Sequence, residues 1–198
     1  MISTKEKIKK VALTHFATKG YAGTSMKNIS DDLGLNKASL YSHFKGKEEI
    51  LMAVYFDLVQ NYVELNKTLF EEAKDLDVQN KLQHIFDGYI KFYYNHTEIQ
   101  MFWSQMTLLS PLEIRGTILK DLTEKDQFFQ MKMEEIFLSA MDEGIIRRDI
   151  PSKLVMSFRA MRDGLLSWML VVPGINEESI GSFWNDYWLG LACREESK

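Results

Sequence analysis

Cysteine and proline are scarce in this chain: one cysteine, Cys193, and three prolines, at positions 111, 151 and 173, among 198 residues. A lone cysteine closes no internal disulfide, which predicts a reducing, cytoplasmic setting. So few prolines leave long stretches free to be helical. No apolar run approaches the ~18 residues that a membrane span needs. The lysines at 5, 7, 9 and 10 are not followed by an apolar segment, so they do not read as a signal peptide. A Gly-rich phosphate loop, a Gly-x-Ser-x-Gly elbow and zinc-ligand spacing are all missing. His84 and Asp87 lie three apart on one predicted helix, but two ligands do not make a metal site. His15 reads as a helix-surface residue and His96 as a helix end. No catalytic residue, metal or cofactor is expected.

What is present is unevenly placed. The whole chain has 24 Lys and Arg against 28 Asp and Glu, a net charge of −4. Residues 1–50 hold nine lysines against five acids, a balance of +4, which leaves −8 for the rest. Evenly spread, that acidity would repel nucleic acid. Segregated, it predicts a basic amino-terminal face on an acidic body.

The basic third contains two short helical patterns joined by a tight turn. Met26, Ile29 and Leu33 fall on one helix face, with Thr24 or Ser25 as the cap. Gly34 follows where a left-handed residue would end that helix, and Leu35 is the apolar turn residue. Asn36 is a good cap for a second helix over about Lys37 to Phe44, in which Leu40 and Phe44 face inward and which Gly46 stops. The other face carries Lys37, Ser39, Tyr41, Ser42 and His43, with no carboxylate. These donors suit phosphates and base edges, whereas an ordinary solvated helix carries Glu–Lys pairs. The pattern is a helix-turn-helix whose second helix enters a major groove.

These residues, with Ile8, Ala12, Leu13, Phe16, Gly20 and Tyr21 before them and Lys47 and Glu48 after, resemble the tetracycline-repressor (TetR) family. The likeness covers about Lys5 to Leu51. That family usually has Val-Ser in the turn, where this chain has Leu35 and Asn36, and often Gly where it has Ala38. Both swaps keep the turn and cap chemistry and bear only on base preference. The residues expected to meet DNA are Thr24, Ser25, Lys27, Asn36, Lys37, Ala38, Ser39, Tyr41, Ser42, His43 and Lys47. Thr24, Lys27, Tyr41 and Lys47 are assigned to phosphates. Lys37, Ser39, Ser42 and His43 are assigned to bases, with Lys37 suited to guanine O6 and N7.

The expected architecture is all-α, about nine helices, with a DNA-binding domain over 1–47 and a helical body over 48–198. Helices are predicted over about Lys47 to Ala73, Val78 to Asn95, Glu98 to Leu109, Leu112 to Asp142, Pro151 to Val172 and Glu177 to Arg194. Glu48 and Glu49 in the first turn of the long helix suit its dipole. Pro151 occupies a helix start, as proline prefers.

Two further surfaces are legible. On the Pro151 helix a slim stripe of Ser157, Ala160, Gly164, Ser167 and Val171 lies beside an apolar one. The last helix carries Phe183, Trp184, Tyr187, Trp188 and Leu191, a wide aromatic arc. Together they predict a two-fold homodimer in which both helices pair with their copies. The resemblance implies the same four-helix interface.

The middle helices are rich in aromatics, and eight of the eleven methionines lie beyond residue 100. Core packing and an adaptable cavity both account for this. The resemblance implies a cavity whose occupancy controls DNA affinity. Its expected lining is Phe86, Tyr89, Tyr93, Phe102, Trp103, Gln105, Met106, Phe129, Met133, Phe137, Met161, Arg162 and Leu165.

The combined expectation is a cytoplasmic, nucleoid-associated regulator of bacterial transcription. It is a repressor that holds a near-palindromic operator as a dimer and is released by a small, largely apolar or aromatic effector. Two other classes stay open from sequence: a small helical enzyme, and a structural DNA-binding factor without a ligand. Binding of a defined duplex argues against the first, and effector-induced release against the second.

Overall fold

The computed structural model describes residues 3–193. Among these residues the chain forms ten α-helices: α1 Thr4–Gly23, α2 Met26–Asp32, α3 Lys37–His43, α4 Lys47–Glu72, α5 Val78–Asn95, α6 Thr97–Ser104, α7 Leu112–Lys125, α8 Gln127–Asp142, α9 Pro151–Met169 and α10 Glu177–Leu191. A π-helical turn, Gln105–Leu109, follows α6. One isolated antiparallel bridge joins Ile146 to Ala192. Among the described residues no helix is long and apolar enough to cross a membrane.

The chain divides into two compact units. The first holds residues 1–64 and 96–125, and the second holds 65–95 and 126–198. The expected boundary at residue 47 falls inside the first of these units. Phe102, Met106 and Ile118 are fully buried in the same core as Ile8, Phe16, Leu40 and Tyr55, so α6 and α7 complete the helix-turn-helix unit. Tyr55 donates to the Asp121 carboxylate at 2.7 Å, and burial together with that bond pushes its phenol pKa up.

Local chemistry explains the elements of the first unit. Ser3 caps α1 by accepting from the Glu6 amide at 3.2 Å. The helix is interrupted at Gly20, φ 67° and ψ −179°, a conformation that essentially only glycine adopts. A Cβ there would also lie 2.7 Å from Oε1 of Gln105. At the end of α2, Gly34 takes φ 63°. The Leu35 amide then donates to the Ser30 carbonyl at 3.0 Å, and Gly34 to Asp31 at 3.1 Å. That pair is a Schellman cap, which sets the direction of the turn. His15 is a correction: it is buried, with Nε2 2.7 Å from Asp32 and Nδ1 accepting from Lys19 at 3.1 Å. It ties α1 to the end of α2 instead of facing solvent.

The second unit packs the last turns of α4 with α5, α8, α9 and α10. Phe86 stacks on Trp184 with ring centres 5.6 Å apart and meets Phe158 edge-on at 6.4 Å. Polar groups are threaded through this interior. The Tyr89 hydroxyl bonds Asn66, and the Arg162 guanidinium lies 4.2 Å from the Tyr89 ring centre. Arg159 pairs with Asp126 at 2.5 Å and lies over Phe129 at 4.5 Å.

Two helix expectations change. Residues 112–142 are two helices, separated at Asp126. No Pro or Gly marks that break; Asp126 is turned toward Arg159, and Thr123 bonds back to the Leu119 carbonyl at 2.8 Å, a habit that bends helices. The last helix stops at Leu191, where the next residues pair with 145–147, and its expected end at Arg194 lies outside the described residues.

Candidate nucleic-acid interface

The exposed face of α3 is built from its two ends. Asn36 accepts from the Ser39 amide at 2.8 Å, which fixes the helix start. Leu40 and Phe44 are buried beneath it. Lys37, Ala38, Tyr41, Ser42 and His43 are then left exposed, Ser39 half-buried, and no carboxylate lies on the helix. Lys37 sits 5.9 Å from the Tyr41 ring centre, so the cation is held along the helix surface. The Ser42 hydroxyl donates to the Ser39 carbonyl at 2.7 Å and keeps its lone pairs for a donor. On α2, Ser25 caps the helix by accepting from Asn28 at 3.1 Å, and Lys27 is exposed.

Two expected phosphate contacts are turned inward. Thr24 is buried, and its hydroxyl donates to the Gly20 carbonyl at 2.7 Å. Lys47 donates to the Tyr21 carbonyl at 2.7 Å and lies 4.1 Å from the Tyr21 ring centre. Burial holds its pKa below the ordinary lysine value. Both side chains brace the kink that ends α1. Lys5 is the cation that sequence reasoning overlooked: it lies 5.3 Å from the Phe44 ring, beside the end of α3. The lysine run near the amino terminus was its only signal, since nothing local places Lys5 near α3.

The residues expected to line a cavity fall into both units. Phe102 and Met106 are wholly buried in the first core, Trp103 meets Tyr55 edge-on at 5.9 Å, and Gln105 faces Gly20. Phe86, Tyr89, Tyr93, Phe129, Met133, Phe137, Arg162 and Leu165 are buried in the second unit, with Met161 half-buried. His84 pairs with Glu72 at 3.1 Å, and no group of three metal-ligating side chains occurs among the described residues.

The expected dimer residues sort by face. Ser157, Ala160, Gly164 and Ser167 are exposed along α9, and a Cβ on Gly164 would touch nothing within 4 Å; α9 ends at Met169 instead of the expected Val172, so Val171, also exposed, lies in the turn that follows. Trp168 and Phe183 are 62% and 47% exposed. Tyr187 and Trp188 are half-buried. Trp184 and Leu191 are corrections: both are buried in their own protomer, Trp184 at 1% exposure because it stacks on Phe86 of α5, and Leu191 where its carbonyl accepts from the Arg147 amide.

The comparisons agree with this arrangement. Residues 8–54 match the model of bacterial regulatory proteins of the tetR family. A probable HTH-type transcriptional regulator, YttP of Bacillus subtilis, is 30% identical over 139 residues, 68% of this chain and 65% of its own length. IcaR of Staphylococcus aureus, a negative transcriptional regulator of a biofilm operon, is 35% identical over 95 residues, 45% of this chain. The chain thus spans between about half and two thirds of the curated relatives it matches, 51% and 65%. The fold is similar to that of AibR, solved in complex with isovaleryl coenzyme A and operator DNA, with TM-score 0.71, 20% identity, and coverage of 94% of this chain and 96% of that one. With its turn, its capped α3 and its matching family model, the chain belongs to the tetR family of bacterial regulatory proteins.

Proposed function

We propose that this protein is a ligand-responsive transcriptional regulator, a repressor that binds a near-palindromic DNA operator as a homodimer. The observation that carries the reading is the exposed, carboxylate-free face of α3, held by a Schellman turn on one side and buried Leu40 and Phe44 beneath. Such a helix, seven residues long, spans ~10 Å and reads only a few base pairs. Two copies on a two-fold axis read a longer, near-palindromic site. The exposed slim stripe on α9, with Trp168 and Phe183 uncovered nearby, supports pairing through α9 and α10.

The negative role of IcaR and the operator complex of AibR support repression and operator binding here. The effector is a small, largely apolar or aromatic molecule received by the body, and the protein works in the cytoplasm, on the nucleoid when bound. The effector acts by favouring one dimer state over the other, since equal affinity for both would transmit nothing. α4, which contributes residues to both units, is the covalent path for that effect.

The test is selection of duplexes from a random pool by purified protein, followed by sequencing. A palindromic consensus with half-sites about one helical turn apart is expected. Recovery of unrelated sequences with no consensus would refute the reading.

A further inference from the structure

The second unit holds a groove of about 520 Å³ between the end of α4, the start of α5 and one face of α8; of its lining only Ile136 belongs to the aromatic and apolar set that the sequence placed near a cavity. Its volume is that of a small-molecule site. Its chemistry is the reverse of its surroundings. The second unit carries twelve Lys and Arg against seventeen Asp and Glu, yet the groove is lined by four lysines and two glutamates. Lys74 pairs with Glu71, and Lys132 with Glu135 at 2.7 Å, so those charges cancel. Of the other two lysines, Lys67 is engaged by an interaction of its own, which leaves Lys81 as the uncompensated cation of the groove. Lys81 is half-buried and has no ion pair among the described residues. A half-buried ammonium without a carboxylate is worth more to an anion than a fully solvated one.

The groove also has an apolar wall. Phe70 and Phe128 meet edge-to-face at 5.8 Å, and Phe128 remains 37% exposed, with Ile136 beside them. We infer that this groove binds a small amphiphilic carboxylate, its acid group against Lys81 and its apolar body on Phe70 and Phe128. Cationic and aromatic walls facing one space match that class. They do not match a neutral apolar molecule, for which the lysines are desolvated without return, or a long polyanion, for which the phenylalanines have no use. The inference stands apart from DNA binding, because it concerns direct occupancy of the groove.

The test is calorimetric titration of the full-length protein with sodium decanoate, below its micelle concentration, and separately with sodium 2-naphthoate. These two arms distinguish an alkyl from an aromatic body. Saturable binding of at least one acid is expected, with decyltrimethylammonium and decanol much weaker. Lys81→Gln should weaken it about tenfold or more, as loss of a charge-assisted contact does, and Phe128→Ala should weaken it while circular dichroism stays unchanged. Equal binding of the cationic and anionic amphiphiles, equal affinity of the Lys81→Gln protein, or absence of saturable binding by both acids would overturn the inference. A loss of duplex binding in Lys81→Gln with no change for the acids would reassign the lysines to nucleic acid and also overturn it. Failure of operator selection with intact acid binding would sink the regulatory reading alone.

Discussion

Trp184 and Phe183 are neighbours on α10 with opposite surroundings, 1% and 47% exposed. Replacing each by Ala separates the core of the second unit from the proposed dimer face. The Trp184 ring stacks on Phe86 at 5.6 Å and on Trp188 at 6.3 Å, and lies 6.0 Å from Tyr187. Truncating so buried an aromatic costs about 3–5 kcal/mol. Its Nε1 is buried without a hydrogen-bond partner, so truncation also relieves roughly 1 kcal/mol of desolvation. The net loss is about 2–4 kcal/mol, or roughly 4–16 °C in Tm for a chain of this size. Trp184→Phe keeps most of the stacking and removes the orphan donor, so it should fall within about 1 kcal/mol of the parent. Phe183→Ala should leave protomer stability nearly unchanged and raise the dimer dissociation constant. Urea denaturation at several protein concentrations, with sedimentation at each, separates the two effects. If Trp184→Ala changes stability by less than about 0.5 kcal/mol while dissociating the dimer, the burial argument is wrong and Trp184 belongs to the interface.

The remaining predictions concern the two proposed surfaces. A Cβ at position 164 meets nothing within 4 Å, and Gly164→Leu replaces a poor helix former, a gain of about 0.8 kcal/mol; it should give a stable monomer that has lost operator binding, and a variant still dimeric at micromolar concentration would place the interface elsewhere. Lys37→Ala should relax preference at one position per half-site by about 1–3 kcal/mol, read as a changed selected consensus; an unchanged consensus removes Lys37 from base reading. Lys5→Ala should lower the salt slope of binding by about one for all duplexes alike, whereas Lys47→Ala should chiefly lower stability, through the lost bond to the Tyr21 carbonyl. A full unit of salt slope lost by Lys47→Ala, with Tm unchanged, would return Lys47 to the phosphates.

What was legible in the sequence was what local rules decide. The caps at Ser25 and Asn36 and the left-handed Gly34 depend on residues within a turn of each other, and each sits where its side chain or missing side chain demands. α5 runs over Val78–Asn95 as its apolar spacing requires. What was not legible depends on which side of an apolar arc meets which neighbour. Periodicity places Trp184 on a wide aromatic surface but cannot say that Phe86 covers it. Nor can it say that His15 meets Asp32 seventeen residues on, or that the Lys47 ammonium finds a carbonyl twenty-six residues back. The groove at Lys81 draws on three separated helices, each of which reads alone as an ordinary charged surface.

The interleaving of the two units in sequence has a consequence for synthesis. The core under the helix-turn-helix includes Phe102, Met106 and Ile118. At ordinary elongation rates Ile118 is made roughly 4–15 s after His43. During that interval α1 to α3 lack the α6 and α7 side chains that complete their core, and the 65–95 segment of the second unit waits for partners made later still. The nascent chain therefore carries uncovered apolar surface, the feature that makes folding intermediates prone to aggregate. An amino-terminal fragment cut after α3 would inherit the same uncovered surface permanently.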